Sequence, residues 1–420
     1  MWKKYKLSDI GTIVGGATPS TTVEKYYGGN IPWLTPKDLS SFNDRYITRG
    51  ERNITDDGLK SCSAQLLPKG SVLFSSRAPI GYVAIANNPI ATNQGFKSII
   101  PNKNTNSLFL YYLLKYNKAN IEAMGSGTTF KEVSGATMKN IEVLLPPLEE
   151  QERIAGILGA LDDKIECNNR INRNLEEQAA VLFRRWFVDF EFPNPDPTSP
   201  TYGKPYRSNG GEMQNSTLGK IPAGWSVITI GDLTKEINTG GDAIQKTPMV
   251  DYDTGVKCIR VGDFTNNRTI EDWGFTKVTN NIYNQYKLCK GDILITRTAS
   301  IGLVRYIFDD LNAVYNNGIV RLIVDKKVLP SLFVYCYLAS DVFEKHISKI
   351  TGETSVRPNM KINYISNFDI LKPMQIICDD FIRIAEAIYN KIETNQKENR
   401  TLTELRDSLL PKLMNNEIKI

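Results

Sequence analysis

The chain repeats itself in order, and that repeat constrains its fold more than any local motif does. Leu67-Pro68-Lys69-Gly70-Ser71-Val72-Leu73-Phe74 returns as Leu288-Cys289-Lys290-Gly291-Asp292-Ile293-Leu294-Ile295, and Ile80-Gly81 returns as Ile301-Gly302, both at an offset of 221. Asn93-Gln94-Gly95 returns as Asn316-Asn317-Gly318, and Phe109-Leu110-Tyr111-Tyr112-Leu113-Leu114 as Phe333-Val334-Tyr335-Cys336-Tyr337-Leu338, with offsets drifting no further than 227. Drift of that size means loop insertions between two copies of one unit. The 420 residues therefore hold two globular modules, each followed by a helix.

Inside each module the hydrophobic pattern is mixed. Ser71 to Ser75 and Asp292 to Thr296 read as short apolar strands after a Lys-Gly turn, with Tyr82 to Ala86 and Leu303 to Phe308 as partner strands. Ser107 to Tyr116 and Pro330 to Ser348 read as helices. Each module is thus expected to be α+β around a curved sheet. The boundaries expected are a first module over 1–147, a long helix over 148–189, a linker over 190–222, a second module over 223–373 and a second long helix over 374–420.

Pro146-Pro147 followed by Glu149-Glu150-Gln151-Glu152 marks a helix start, because acid residues suit the positive end of the helix dipole. Ile154, Leu158, Leu161, Ile165, Asn168, Asn172, Leu175, Ala179 and Leu182 then step by four and three, the pattern of a coiled-coil seam. At an offset of 227 the seam recurs as Phe381, Ala385, Ile388, Ile392, Asn395, Asn399, Leu402, Arg406 and Leu409. Asparagine in a seam costs stability and is kept where it sets register. Antiparallel pairing puts Asn168 opposite Asn399 and Asn172 opposite Asn395, leaving Leu161 opposite Arg406 as the one poor match. Ile157, Ile171, Phe183 and Trp186 fall outside that seam and are expected to dock partners. The Pro-rich stretch from Phe192 to Pro200, then Ser208-Asn209-Gly210-Gly211, reads as a stiff and then flexible linker.

Composition narrows the chemistry. The single histidine, His346, excludes a multi-histidine metal site, and six dispersed cysteines without a Cys-x-x-Cys pair read as reduced core residues of a cytoplasmic protein. No Walker A loop, glycine-rich cofactor loop or Asn/Asp-Pro-Pro-aromatic motif is present, and Gly15-Gly16 and Gly240-Gly241 are isolated turn glycines. Lys and Arg outnumber Asp and Glu by 17 to 10 over residues 1–145 and by 18 to 16 over 225–373, while the helical and linker segments carry no positive excess. Two basic modules on neutral or acidic connectors suit phosphate-backbone binding, although an ordinary basic surface explains the same counts.

The chain resembles the specificity subunits of type I restriction-modification systems. The resemblance rests on the repeat, on Leu145-Pro146-Pro147-Leu148-Glu149-Glu150-Gln151, on Trp186-Phe187-Val188-Asp189-Phe190, on Gly210-Gly211-Glu212-Met213, and on Gly219-Lys220-Ile221-Pro222-Ala223-Gly224-Trp225. It implies that the modules are pseudo-twofold-related target recognition domains, separated by an antiparallel two-helix coiled coil, each reading half of a bipartite DNA site. It also implies a non-catalytic chain whose helices dock two copies of a modification subunit, joined by a restriction and translocase subunit. S-adenosylmethionine, Mg and ATP are then expected on those partners and not on this chain. Pro373-Met374-Gln375-Ile376 departs from the acidic helix start seen in the first copy.

Residues expected to touch DNA are hydrogen-bonding or cationic side chains on loops. The leading set is Ser126, Thr128, Thr129 and Lys131, matched by Thr354, Ser355, Arg357 and Asn359 in the second module. Ser76 and Arg77 with Arg297 and Thr298 come next, then Thr35, Lys37 and Arg260, then Asn93, Gln94, Asn316 and Asn317, whose amides serve bases or turns equally well. From Ile154 to Leu182 the seam spans about 42 Å at ~1.5 Å per residue. Since a duplex turn is roughly 34 Å, the seam is expected to set an unread gap between two short blocks. One added heptad per helix would widen that gap by roughly three base pairs. A stand-alone DNA-modifying or DNA-cleaving enzyme, and an adaptor that never touches nucleic acid, are the competing readings.

Overall fold

The computed structural model describes residues 2–40, 42, 44–126, 131–240, 249–266, 268–352 and 360–420. Its contacts divide the chain into two units, one of residues 1–170 with 396–420, the other of residues 171–395. The cut passes through both long helices, Leu148–Phe187 and Gln375–Met414, of 40 residues each. Among the described residues no helix is long and apolar enough to cross a membrane.

In the first unit, strands Lys3–Lys6 and Glu142–Leu145 pair antiparallel and so bring together the two ends of the module. Between them lies a five-stranded sheet in the order Gly11–Gly15, Lys97–Pro101, Val72–Phe74, Val83–Ala86, Tyr46–Ile47. A second sheet of three strands runs Arg52–Ile54, Tyr27–Leu34, Ala91–Thr92. The second unit repeats the plan. Ser226–Thr229 pairs with Asp369–Lys372, one sheet orders Thr234–Thr239, Ile319–Val324, Ile293–Thr296, Val304–Tyr306, and another orders Met249–Val250, Gly274–Thr276, Lys257–Ile259, Ala313–Tyr315. Besides its terminal strand pair, each module thus carries two sheets among the described residues, where one curved sheet was expected. The second arises because Tyr27–Leu34 and its counterpart Lys257–Ile259 pair parallel with Ala91–Thr92 and Ala313–Tyr315.

Helix Ser107–Tyr116 forms where expected, with Asn106 accepting the Phe109 amide as its cap and six successive buried residues from Phe109 to Leu114. The helix expected over residues 330–348 is instead two, Ser331–Leu338 and Asp341–Gly352. Ser340 breaks it, its hydroxyl donating to the Tyr337 carbonyl at 2.6 Å and so satisfying a group left open at the helix end.

The long helices meet antiparallel within each unit. In the first, Asn168 donates to Asn399 at 2.9 Å and to Glu398 at 2.8 Å, Lys164 pairs with Glu398 at 3.2 Å, and Arg406 pairs with Asp162 at 2.7 Å. In the second, Asn395 donates to Asn172 at 2.7 Å. Arg406 is therefore no mismatch: it bypasses Leu161 for the neighbouring Asp162, a buried carboxylate that also accepts the Tyr112 hydroxyl at 2.6 Å.

Each unit packs its module on both helices. Ile154, Ala155 and Leu158 join Leu413 and Met414 in the first core. Phe183, Trp186 and Phe187 join Phe381 and Ala385 in the second. This corrects the expectation that Phe183 and Trp186 await a partner: the second module covers both, whereas Ile157 and Ile171 stay 38% exposed. Residues 190–222 are also more than a stiff and flexible connector. Phe192 stacks between Tyr206 and Trp225 at 4.7 and 5.2 Å, Phe190 and Ile221 are buried in the same core, and Met213–Ser216 forms a hairpin with Gly219–Pro222. Aromatic residues in a proline-rich stretch bury too much apolar surface to be left in water. Of the cysteines, Cys258, Cys336 and Cys378 are core residues, Cys62 and Cys167 are half-buried and Cys289 is exposed.

Candidate nucleic-acid interface

Backbone hydrogen bonds lace the candidate loops of the first module into one frame. The Ser76 amide donates to the Gly95 carbonyl at 2.7 Å, the Val133 amide to the Ser76 carbonyl at 2.9 Å, and the Asn93 amide to the Leu34 carbonyl at 2.8 Å. The same frame recurs in the second module. Arg297 donates to Gly318 at 2.8 Å, Met360 to Arg297 at 2.9 Å, and Asn316 to Ile259 at 3.2 Å. Even the turns match: Asn93 Oδ1 accepts the Gly95 amide at 2.9 Å, and Asn316 Oδ1 accepts the Gly318 amide at 3.2 Å. Helices Pro36–Ser40 and Val261–Thr265 open alike, with the amides of Thr35 and Arg260 donating to Asp38 and Asp263 at 2.7 and 2.8 Å.

Gly16 and Gly240, which read as isolated turn glycines, belong to this frame. A Cβ on Gly16 would run into the carbonyls of Thr92 and Asn93, and one on Gly240 into those of Tyr315 and Asn316. Only glycine lets the strand end approach the turn this closely.

On matching frames stand different side chains. Bond for bond, Ser76 corresponds to Arg297, so Arg77 corresponds to Thr298 and Thr35 to Arg260. Ser76 is fully buried and its hydroxyl donates to the Gly95 carbonyl at 3.2 Å, which removes it from the candidates for DNA contact. Arg297 is half-buried and turned onto its own module, donating to the Met360 carbonyl at 3.1 Å and to Asn317 Oδ1 at 3.3 Å. The Thr35 hydroxyl donates to Asp38 at 2.7 Å, and the Asn93 and Asn316 carbonyl oxygens are taken up by their turns. Gln94 is exposed and accepts the Thr18 hydroxyl, Lys37 is exposed and pairs with Glu51 at 3.0 Å, and Arg260 and Ser126 are exposed. Thr128, Thr129, Thr354, Ser355, Arg357 and Asn359 lie outside the described residues.

Sequence reasoning missed the group that organises the first surface. Glu132 pairs with Arg77 at 2.9 Å and Lys97 at 3.3 Å, and exchanges backbone hydrogen bonds with Ser126. Burial pulls its carboxyl up, but the hydrogen bonds from Arg77 and Lys97 outweigh that and hold it below its ordinary value. Lys131 beside it is exposed and has no ion-pair partner among the described residues. An unpaired lysine on a loop surface is the residue type that contacts phosphate. Lys131→Ala should weaken DNA binding for all sequences alike and lower the salt slope by roughly one counterion, read from affinity measured across a salt series.

Comparison with known proteins agrees with this duplicated arrangement. The sequence profile described as Type I restriction modification DNA specificity domain matches residues 1–177 and 222–404. The type I restriction enzyme MjaIX specificity subunit of Methanocaldococcus jannaschii is 37% identical over 437 residues, covering 100% of this chain and 94% of that protein. The HindI specificity subunit of Haemophilus influenzae is 24% identical, with 99% of each chain covered. The crystal structure of the type I restriction-modification system S subunit from M. genitalium shares the fold at a TM-score of 0.54 and 16% identity, covering 98% of this chain and 96% of that one.

Proposed function

The chain belongs to the family of type I restriction-modification DNA specificity subunits, and from that premise we propose that each of its two modules reads one block of a split DNA sequence. It is the sequence-specific DNA-binding component of a type I system, and as a specificity subunit it leaves the chemistry to its partners. The observation that carries the two-block reading is the duplicated loop frame. One hydrogen-bonded scaffold appears twice, with Arg77 in one copy where the other has Thr298, and Thr35 where the other has Arg260. A constant scaffold with different side chains at its loops is what two readers of different base sequences require.

In this reading two copies of a modification subunit dock on the long helices, where Ile157 and Ile171 remain exposed, and a restriction and translocase subunit completes the complex. S-adenosylmethionine belongs to the modification subunits, ATP and Mg to the complete assembly, and the setting is the cytoplasm. Purified chain incubated with DNA and either Mg or S-adenosylmethionine should leave the DNA unchanged, and adding the modification subunit should produce methylated adenine. Cleavage or methylation by the chain alone would replace this reading with that of an enzyme. The mass of the assembled modification complex should correspond to two modification subunits per chain. A stable complex holding one and nothing larger would contradict that stoichiometry.

A further inference from the structure

We propose that Arg77 reads a guanine in the block recognised by the first module, and that Glu132 is the positioning residue that holds its guanidinium ready. The proposal rests on the reading that these loops face DNA and names the base and the donor atoms.

The Arg77 Nε donates to Glu132 Oε2 at 2.9 Å, while Lys97 Nζ donates to Glu132 Oε1 at 3.3 Å. Both carboxylate oxygens are thus occupied from inside the module. The backbone that carries Glu132 is fixed as well, its amide and carbonyl bonding the Ser126 carbonyl and amide at 2.9 and 3.1 Å, and the next amide, of Val133, bonding the Ser76 carbonyl. The guanidinium is therefore gripped by one edge. Its two terminal nitrogens have no hydrogen-bond partner among the described residues, and the side chain is 45% exposed.

A planar fork with its Nε edge tied down presents two parallel N–H groups outward, the spacing that matches O6 and N7 of guanine in the major groove. Phosphate also accepts such a fork, but two features favour the base. Pairing with Glu132, a carboxylate shared with Lys97, offsets part of the arginine's charge and with it part of the counterion release that rewards a phosphate contact. Directional readout gains from the same anchor, since the fork is ordered before DNA arrives. Lys131, exposed and unpaired among the described residues, supplies the phosphate-type cation alongside. In the second module Thr298 takes the place of Arg77, so this device serves one block only.

The test maps methylated adenines in a methylation-free host carrying the modification subunit with wild-type chain, Arg77→Ala, Arg77→Lys or Glu132→Gln. Arg77→Ala should relax one guanine position in one block, lowering discrimination there roughly tenfold or more, with the other block and the salt slope of binding unchanged. Arg77→Lys should restore part of that preference, because lysine offers a charge without the fork. Glu132→Gln should relax the same position to a smaller extent. Arg77→Ala that leaves every position as specific as before, or weakens all sequences alike with a salt slope lower by about one, overturns the proposal. Loss of the whole block, unrescued by lysine, would make Arg77 structural and overturn it as well. A wild-type motif without two blocks would instead remove the reading on which the proposal stands, so the two failures are distinguishable.

Discussion

Phe187→Ala should destabilise the second unit by about 3–5 kcal/mol, the usual cost of removing a buried phenyl group and leaving a cavity. The ring closes the first long helix against five other aromatic residues, with centroids at 4.9 Å from Phe333 and Phe381, 5.2 Å from Phe183, 5.8 Å from Trp225 and 6.3 Å from Trp186. Every one of those partners is buried in the same core. Trp186 and Trp225 lie within the same cluster, so tryptophan fluorescence in a urea titration reports the loss directly. A shift worth less than about 1 kcal/mol would mean that the helix end is not a structural part of the module's core.

The second large effect is expected at Arg45, in the first unit. Its guanidinium is buried and donates to Glu166 from Nε at 2.8 Å and from Nη2 at 3.2 Å, to Asp163, and to the Gly159 carbonyl at 3.3 Å. Burial by itself would lower its pKa, and the hydrogen bonds it donates to the two carboxylates raise it further than burial lowers it, so the charge is permanent. Breaking a fully buried pair costs about 3–5 kcal/mol, but Glu166 and Asp163 keep 24% and 72% of their side chains in water. Arg45→Leu is therefore expected to cost about 2–3 kcal/mol, and Arg45→Lys to recover only part, since lysine cannot reach both carboxylates and the carbonyl together. Hydrogen exchange should speed up in strand Tyr46–Ile47, which follows Arg45 directly. Unchanged exchange there would show that the arginine does not fasten the module to the helix.

These two residues also show what can be read from one sequence. Helix positions, the seam and its asparagines follow from spacing alone, because neighbours along a helix recur every three or four residues. Arg45 and Glu166 are 121 residues apart, and no local pattern couples them. Phe187 stood out only as part of a family motif. Its burial became evident once the second module was seen to fold around it. The candidate loops were located by the repeat, yet their side chains divided on grounds that spacing does not encode. Asn93 and Asn316 spend their carbonyl oxygens on a turn, Ser76 is buried under Gly95, and Arg297 turns back to Met360 and Asn317. Glu132 went unnoticed because a carboxylate on a basic surface reads as an interruption, when here it grips the cation beside it.

The most direct test of two modules reading two blocks is a genome-wide map of methylated adenine in a methylation-free host that carries this chain with its modification subunit. The expected map holds one motif made of two short specific blocks separated by unspecified base pairs. Exchanging the second module, residues 223–373, for that of another specificity subunit should replace one block and leave the other intact. A single uninterrupted motif, or a change in both blocks when one module is exchanged, would contradict it.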